Sequence, residues 1–496
     1  MNASCSSTHR ARAASPCHFG AIGLPLLACL LSTNTILAAD APAAWRAGVA
    51  RTKITPPQPV WMAGYASRTK PADGTLNDLW AKALVFEDAG GKRVALISLD
   101  VCGIDRDTSV RICDRLKAKY ALDRDAVAIC VSHTHSGPVI GHNLRPTYVF
   151  SAEESDKVRA YTTWMEEQVV ETVGRAAGQM APVSMNYGVG TAAFATNRRE
   201  NKEAEVTKLA HGDAGGTAAW RKTMKGPFDH DLPVLSVVAA GGASAGKPIA
   251  VLFGYACHAT TLSGYEWSSD WPGFAAEAIE ADLPGATAMF AAGCGADQNP
   301  FPRREVAFAK SFGRQIGDGV KAAFAAEMKP IGGTIAATYR EIDLPFGEMP
   351  SRELLEQQKA STDPKDRYLA RRASLLLERM ARDGKLSTTY AYPVQSWKLG
   401  DGPTLVFLGG EVVVDYALRL KKELGGTAAV WPIGYANDVM AYIPSARVLK
   451  EGGYEGAAAM VYYGLPTVWG GTVEEKIIAE ATGQVTRGEG GKPGQK

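Results

Sequence analysis

Five short apolar runs constrain this chain more than any other feature: RVALISLD (93–100), AVAICVSHTH (126–135), PIAVLFGYACHAT (248–260), ATAMFAAGCGADQNP (286–300) and GPTLVFLGGE (402–411). None alternates polar with apolar, and each is too short for a buried helix. Runs of this kind suit strands buried on both faces. Segments with helical spacing lie between them, among them 106–122, 161–180 and 272–283. The pattern predicts a mixed α/β fold, with a largely buried β-sheet core flanked by helices in one large domain over 40–485. The charged segment 350–385 reads as a helical surface excursion. The apolar runs end in Asp100, the His133/His135 pair, His258, the Cys294–Asp297 loop and Glu411. Strand ends are where α/β folds gather their chemistry.

The two ends of the chain read differently. Arg10 and Arg12 precede FGAIGLPLLACLL, and small residues follow at Ala38 and Ala39. That order predicts a signal peptide over 1–39 and a periplasmic or secreted product. The run is short for a bilayer span, and no other segment reads as transmembrane. A lipoprotein reading at Cys29 is weakened by the apolar residues after it. Residues 486–496 are expected to be a disordered tail. A net charge of +2, with no basic stripe interleaved with aromatics, excludes a nucleic-acid partner. Beyond the leader remain Cys102, Cys113, Cys130, Cys257 and Cys294, an odd number with no CxxC spacing, so at least one thiol is unpaired and the pairing of the rest stays open.

Six histidines follow the leader: His133, His135, His142, His211, His230 and His258. On a strand, His133 and His135 face the same way. If the chain turns there, one ligates a metal and the other approaches substrate. His258 and Glu411 would complete a zinc site of three protein ligands with one open position. The competing reading is hydrogen-bonded core histidines and a first-turn glutamate favoured by its helix dipole; spacing alone does not separate the two. Asp100 is a candidate to hold a histidine N–H, or else a loop-capping carboxylate. Asp270, in SSDWPG, reads as the N-cap of the next helix.

Several further stretches keep a common order: GVARTKITPP, MAGYASR, LWAKALVFED, LISLDVCGI, SHTHSGP, TNRRE, GYACHAT, SSDWPGFAAEAIE, LGGEVVVDYALRL and AYIPS with GGYEGAA. Together they resemble the amino-terminal catalytic domain of the neutral/alkaline non-lysosomal ceramidase family over most of 45–465. The resemblance implies an enzyme of lipid metabolism, a hydrolase of an N-acyl amide bond with one Zn2+ per chain. It implies His133, His258, Glu411 and Tyr442 as metal ligands. His135 would face the substrate, Arg198 would form the active-site wall, and Tyr454 would stand near the scissile group. Two departures stand out. The family's Gly-Asp-Val-Ser-Pro-Asn loop is replaced by AAGCGADQNPFPR, which has no serine. Asp297 is then the expected general base for the water activated at zinc, and Cys294 the other reactive candidate. The family's enzymes also continue into an immunoglobulin-like domain, whereas this sequence is expected to lack it, ending soon after YYGLPTVWGG. Both departures point away from ceramide toward a more polar amide, ester or glycoconjugate. The alternatives are a glycan-directed hydrolase on the same scaffold and a catalytically silent lipid- or glycan-binding protein.

Overall fold

The apolar runs become neighbouring strands because burial on both faces needs a partner on each side. The computed structural model describes residues 45–212 and 218–489. The expected leader over 1–39 lies outside the described residues, as does the expected tail beyond Glu489, whereas its first residues, 486–489, are helical. In the main sheet, β1 (Trp45–Lys53) pairs antiparallel with β2 (Trp80–Glu87), and β2 with β3 (Arg93–Leu99). β4 (Val127–Val131) lies parallel beside β3. On the other flank of β1 come β5 (Ala181–Thr191), β6 (Asp231–Ala239) and β7 (Pro248–Tyr255), all antiparallel. β8 (Thr287–Ala292) closes that flank parallel to β7, and Lys329–Ile331 pairs with β5. The predicted mixed α/β class, a buried sheet flanked by helices, is what the chain adopts.

The twist of this sheet brings its two ends together. Lys82 Nζ on β2 donates to the Ala288 carbonyl at 2.7 Å, and Ser98 Oγ on β3 donates to the Phe290 carbonyl at 2.7 Å. A second sheet runs β9 (Ile335–Pro345), β10 (Thr389–Leu399), β11 (Thr404–Leu408) and β12 (Val430–Ile433). The backbone leaving β12 stitches the first sheet's ends: Gly434 N–H donates to Ala292 O at 2.9 Å and Asn437 N–H to Ile129 O at 2.7 Å. The carboxyl ends of β4, β8, β11 and β12 therefore meet in one place.

Long helices pack around the sheets, among them Arg106–Tyr120, Ala152–Gly178, Asp270–Asp282 and Val306–Ala325. The second starts on a Ser151/Glu154 capping box. The excursion is two helices, Arg352–Ala360 and Arg367–Asp383. One boundary differs from the sequence reading. The helix expected to start near Glu411 starts at Val414, and Glu411 lies in a two-residue strand paired with Tyr442–Ile443. Its N–H is committed to the Ala441 carbonyl at 2.8 Å, so the chain cannot yet coil. The last helix runs Val473–Glu489. All five cysteines named above are buried and unpaired. Among the described residues no helix is long and apolar enough to cross a membrane.

Candidate metal centre

His133 leaves β4 with φ of 56°, a left-handed conformation unusual for a side chain of its size. Strand alternation ends there, so the chain turns at His133 and the two imidazoles no longer share a strand face. The Nδ1 of His133 donates to the Cys102 carbonyl at 2.6 Å, and that of His258 to the Gly295 carbonyl at 2.8 Å. Both rings thereby keep the Nε2 lone pair for a cation. The two Nε2 atoms converge on one oxygen, Glu411 Oε2, at 3.1 Å each. These ligand atoms lie within 4.8 Å of one another and all three residues are buried. Donors held tetrahedrally about 2.0–2.2 Å from one ion stand about 3.3–3.6 Å apart, so a zinc-sized cation fits the set.

The register of the two-residue ladder sets Tyr442 opposite Glu411. Its hydroxyl is 3.3 Å from His258 Nε2 and accepts from Arg198 Nη2 at 3.1 Å. Tyr463 donates to the second Glu411 oxygen. Burial opposes a charge on His133, but Glu411 and Cys102 outweigh it and lift its pKa to about 10. Burial and the charge of Arg198 depress His258 to about 4. Burial opposes the charge on Glu411 as well, yet His133 and the two imidazole hydrogen bonds hold it well below the carboxylate range. A proton and a metal ion would compete for the same lone pairs.

His135 lies outside this trio and lines an open cleft of about 660 Å³. Its Nε2 is 3.0 Å from His133 Nε2, and its Nδ1 has no partner. Burial, then the charges of His133 and His258, hold it well below its ordinary pKa. The MAGYASR loop shapes this corner. Arg68 Nη1 donates to the His135 carbonyl at 2.6 Å, and the Tyr65 ring meets the imidazole edge-on at 4.8 Å. Gly64 has φ of +94°, and a Cβ there would stand 2.4 Å from His135 Cγ. The cleft wall is charged, with Arg198, Arg199, Lys202 and Arg303 facing Glu200, Glu203, Glu451 and Glu455. Glu455 braces Arg198 Nε and Arg199 Nη1 at 2.7 Å each. Tyr454 is 44% exposed at the cleft, its ring 5.2 Å from that of Tyr442.

Three sequence candidates are engaged elsewhere. Asp297 spends one oxygen on the Val414 N–H at 3.0 Å and the other on Asn197 Nδ2 at 2.9 Å. Asp100 Oδ2 accepts from the Trp80 N–H and Ser269 Oγ, both at 2.9 Å, and from no histidine among the described residues. Cys294 is packed in the second core with Tyr392 and Val412, and burial pushes its thiol up, away from a nucleophilic thiolate. The residues that hold the histidine Nδ1 atoms are backbone carbonyls, which leave no side-chain signature in a sequence. Tyr463, 52 residues from Glu411, carries no such signature either.

A family profile described as neutral/alkaline non-lysosomal ceramidase, N-terminal, matches residues 45–326, more than half of the chain. His133, His135, Arg198, His258 and Asp297 fall inside that span, and Glu411, Tyr442 and Tyr463 beyond it. The chain is 27% identical over 264 residues to the neutral ceramidase of Pseudomonas aeruginosa, covering 52% of this chain and 37% of that protein. It is 33% identical over 135 residues to neutral ceramidase 2 of Arabidopsis thaliana, covering 27% of this chain and 18% of that one. The matched stretches are thus well under two thirds of either relative's length. The crystal structure of the Pseudomonas aeruginosa neutral ceramidase shares the fold at a TM-score of 0.67 and 20% identity, over 92% of this chain and 76% of that one. The profile match shows that this chain belongs to the neutral/alkaline non-lysosomal ceramidase family.

Proposed function

We propose that this chain is an exported zinc-dependent hydrolase of an N-acyl amide or closely related carbonyl bond. The observation that carries the reading is the convergence of His133 Nε2 and His258 Nε2 on one buried Glu411 oxygen, with both Nδ1 atoms spent on carbonyls. Bound there, zinc would supply a Lewis acid and lower the pKa of a water toward neutrality. His133, His258 and Glu411 would hold it, with Tyr442 as the fourth protein donor. Arg198 is fixed by Glu455 and donates to the Tyr442 oxygen, which would orient the phenol toward a bound carbonyl. His135 and Tyr454 line the cleft and would hydrogen-bond the substrate there. Asp297 is assigned a bracing role, because both its oxygens already accept hydrogen bonds.

The charged wall favours a substrate with a polar head, an N-acylated sugar or amino acid rather than a purely aliphatic amide. Four cationic and four acidic side chains on one wall suit hydroxyl and amide groups, while Tyr65, Phe301, Tyr442 and Tyr454 supply apolar surface beside them. A glycan-directed hydrolase is the second reading that this wall supports.

Metal analysis with a panel of acyl amides, esters and glycosides tests the assignment. The expected result is about one zinc per chain, turnover of a polar-headed amide lost with chelator, and both lost in His133→Ala. Protein with no stoichiometric zinc and chelator-indifferent turnover overturns it. Cleavage of glycosides with amides untouched selects the second reading.

A further inference from the structure

We propose that Tyr463 is a positioning residue that makes Glu411 a one-oxygen ligand and so fits the site to zinc. The proposal rests on the zinc reading above. Glu411 has two oxygens with different neighbours. Oε2 stands 3.1 Å from both imidazole Nε2 atoms, whereas Oε1 accepts the Tyr463 hydroxyl. A carboxylate with both oxygens free can bind a cation through the pair, which suits larger ions of high coordination number with oxygen ligands. With Oε1 engaged by the phenol, Oε2 is the better donor. A low-coordinate site with an open position, the arrangement of catalytic zinc, is then favoured.

Tyr463 does not line the cleft of His135 and Arg198. It lines a separate, half-open pocket of about 460 Å³, shared with His142, Arg379, Tyr390 and Leu465. The phenol therefore acts through Glu411 and not on substrate. Its placement is itself braced. Tyr463 ends the short helix Met460–Tyr463, which Gly464 stops in a left-handed conformation at φ of 69°. The Gly464 carbonyl accepts Arg379 Nη1 at 3.0 Å. Arg379 belongs to the helix Arg367–Asp383, so the surface excursion reaches the metal's carboxylate through two hydrogen bonds and one ring.

The test compares wild type with Tyr463→Phe and with Tyr161→Phe, a buried phenol whose hydroxyl serves the Ile54 carbonyl. Zinc affinity is read by chelator competition, and coordination number by the visible spectrum of the cobalt-substituted protein. Tyr463→Phe is expected to lower zinc affinity about 10–100-fold, the usual effect of losing such an outer partner. Its cobalt absorption should weaken as coordination number rises, with Tyr161→Phe unchanged in both. If Tyr463→Phe does not fold, Arg379→Met, which releases Gly464 and leaves the phenol in place, is expected to shift both readouts the same way. Wild type that binds one zinc, beside a variant of unaltered affinity and spectrum, overturns this proposal alone. Wild type that binds no zinc overturns the metal reading, and this proposal with it.

Discussion

Asp297 stands where a proton acceptor is wanted, yet its surroundings give it other work. Its oxygens tie the start of the Val414 helix to Asn197, the neighbour of Arg198, so one carboxylate links the segments after Glu411 and before the cleft arginine. Asn197 is itself fixed, its Oδ1 accepting from the Arg199 N–H at 3.0 Å. In Asp297→Asn the new amide would point N–H groups at the Asn197 amide, two donors face to face. The expected cost is about 1–3 kcal/mol of stability, the penalty for one unsatisfied buried group. Zinc content should be unchanged and kcat should stay within about tenfold, whereas loss of a true general base costs about 10²–10⁴. A urea unfolding midpoint beside a turnover assay decides. A thousandfold fall in kcat at unchanged stability would return Asp297 to the role the sequence suggested.

Elements were more legible than the contacts between them. RVALISL and VAICV announce themselves because strands buried on both faces need apolar residues at every position, and both form strands. His258 and Glu411 became candidates through their places after apolar runs and the resemblance. The Cys102 and Gly295 carbonyls and the Tyr463 hydroxyl carry no comparable mark, because tertiary packing alone brings them in. Asp270 lies between these cases. It reads as an N-cap but is the first residue of its helix, with φ of 57°. Its carboxylate accepts the N–H groups of Thr261 at 3.2 Å and Leu262 at 2.8 Å, in the loop just after His258. Next to it, Trp271 Nε1 donates to the His258 carbonyl at 2.8 Å. With the Trp271 N–H, which also donates to it at 2.6 Å, Asp270→Ala would strand three buried N–H groups, a loss of about 3–9 kcal/mol at about 1–3 kcal/mol each. Zinc affinity should fall with it as the His258 loop loosens, which chelator competition on the folded variant reads directly. A variant of wild-type midpoint and affinity would mean the loop is held without this carboxylate.

At the scale of the whole molecule, the second sheet and the first helix are joined at Asp438. Its Oδ2 accepts from the Tyr390 hydroxyl on β10 at 2.7 Å and faces Arg106 Nη2, at the start of the first helix, at 3.2 Å. Arg106 is shared with Glu341 on β9 at 2.6 Å. Asp105 adds a like charge nearby. Burial prevails over the pull of Arg106 and the Tyr390 hydrogen bond and lifts the Asp438 carboxyl to about 6. In the unfolded chain such a carboxyl titrates near about 3.9. Between those values the folded state holds a proton that the unfolded state has released. The stability from this group is therefore full below about pH 4 and is lost as pH rises through about 6. A shift of two units is worth about 3 kcal/mol, at about 1.4 kcal/mol per unit. Asp438→Asn cannot titrate, so its unfolding free energy should change by about 3 kcal/mol less unfavourably than wild type between pH 4 and pH 7. Urea midpoints of both proteins across that range measure the difference. Parallel curves would mean that Arg106 and Tyr390 keep Asp438 ionised throughout, and that the joint between the second sheet and the first helix is an ordinary ion pair.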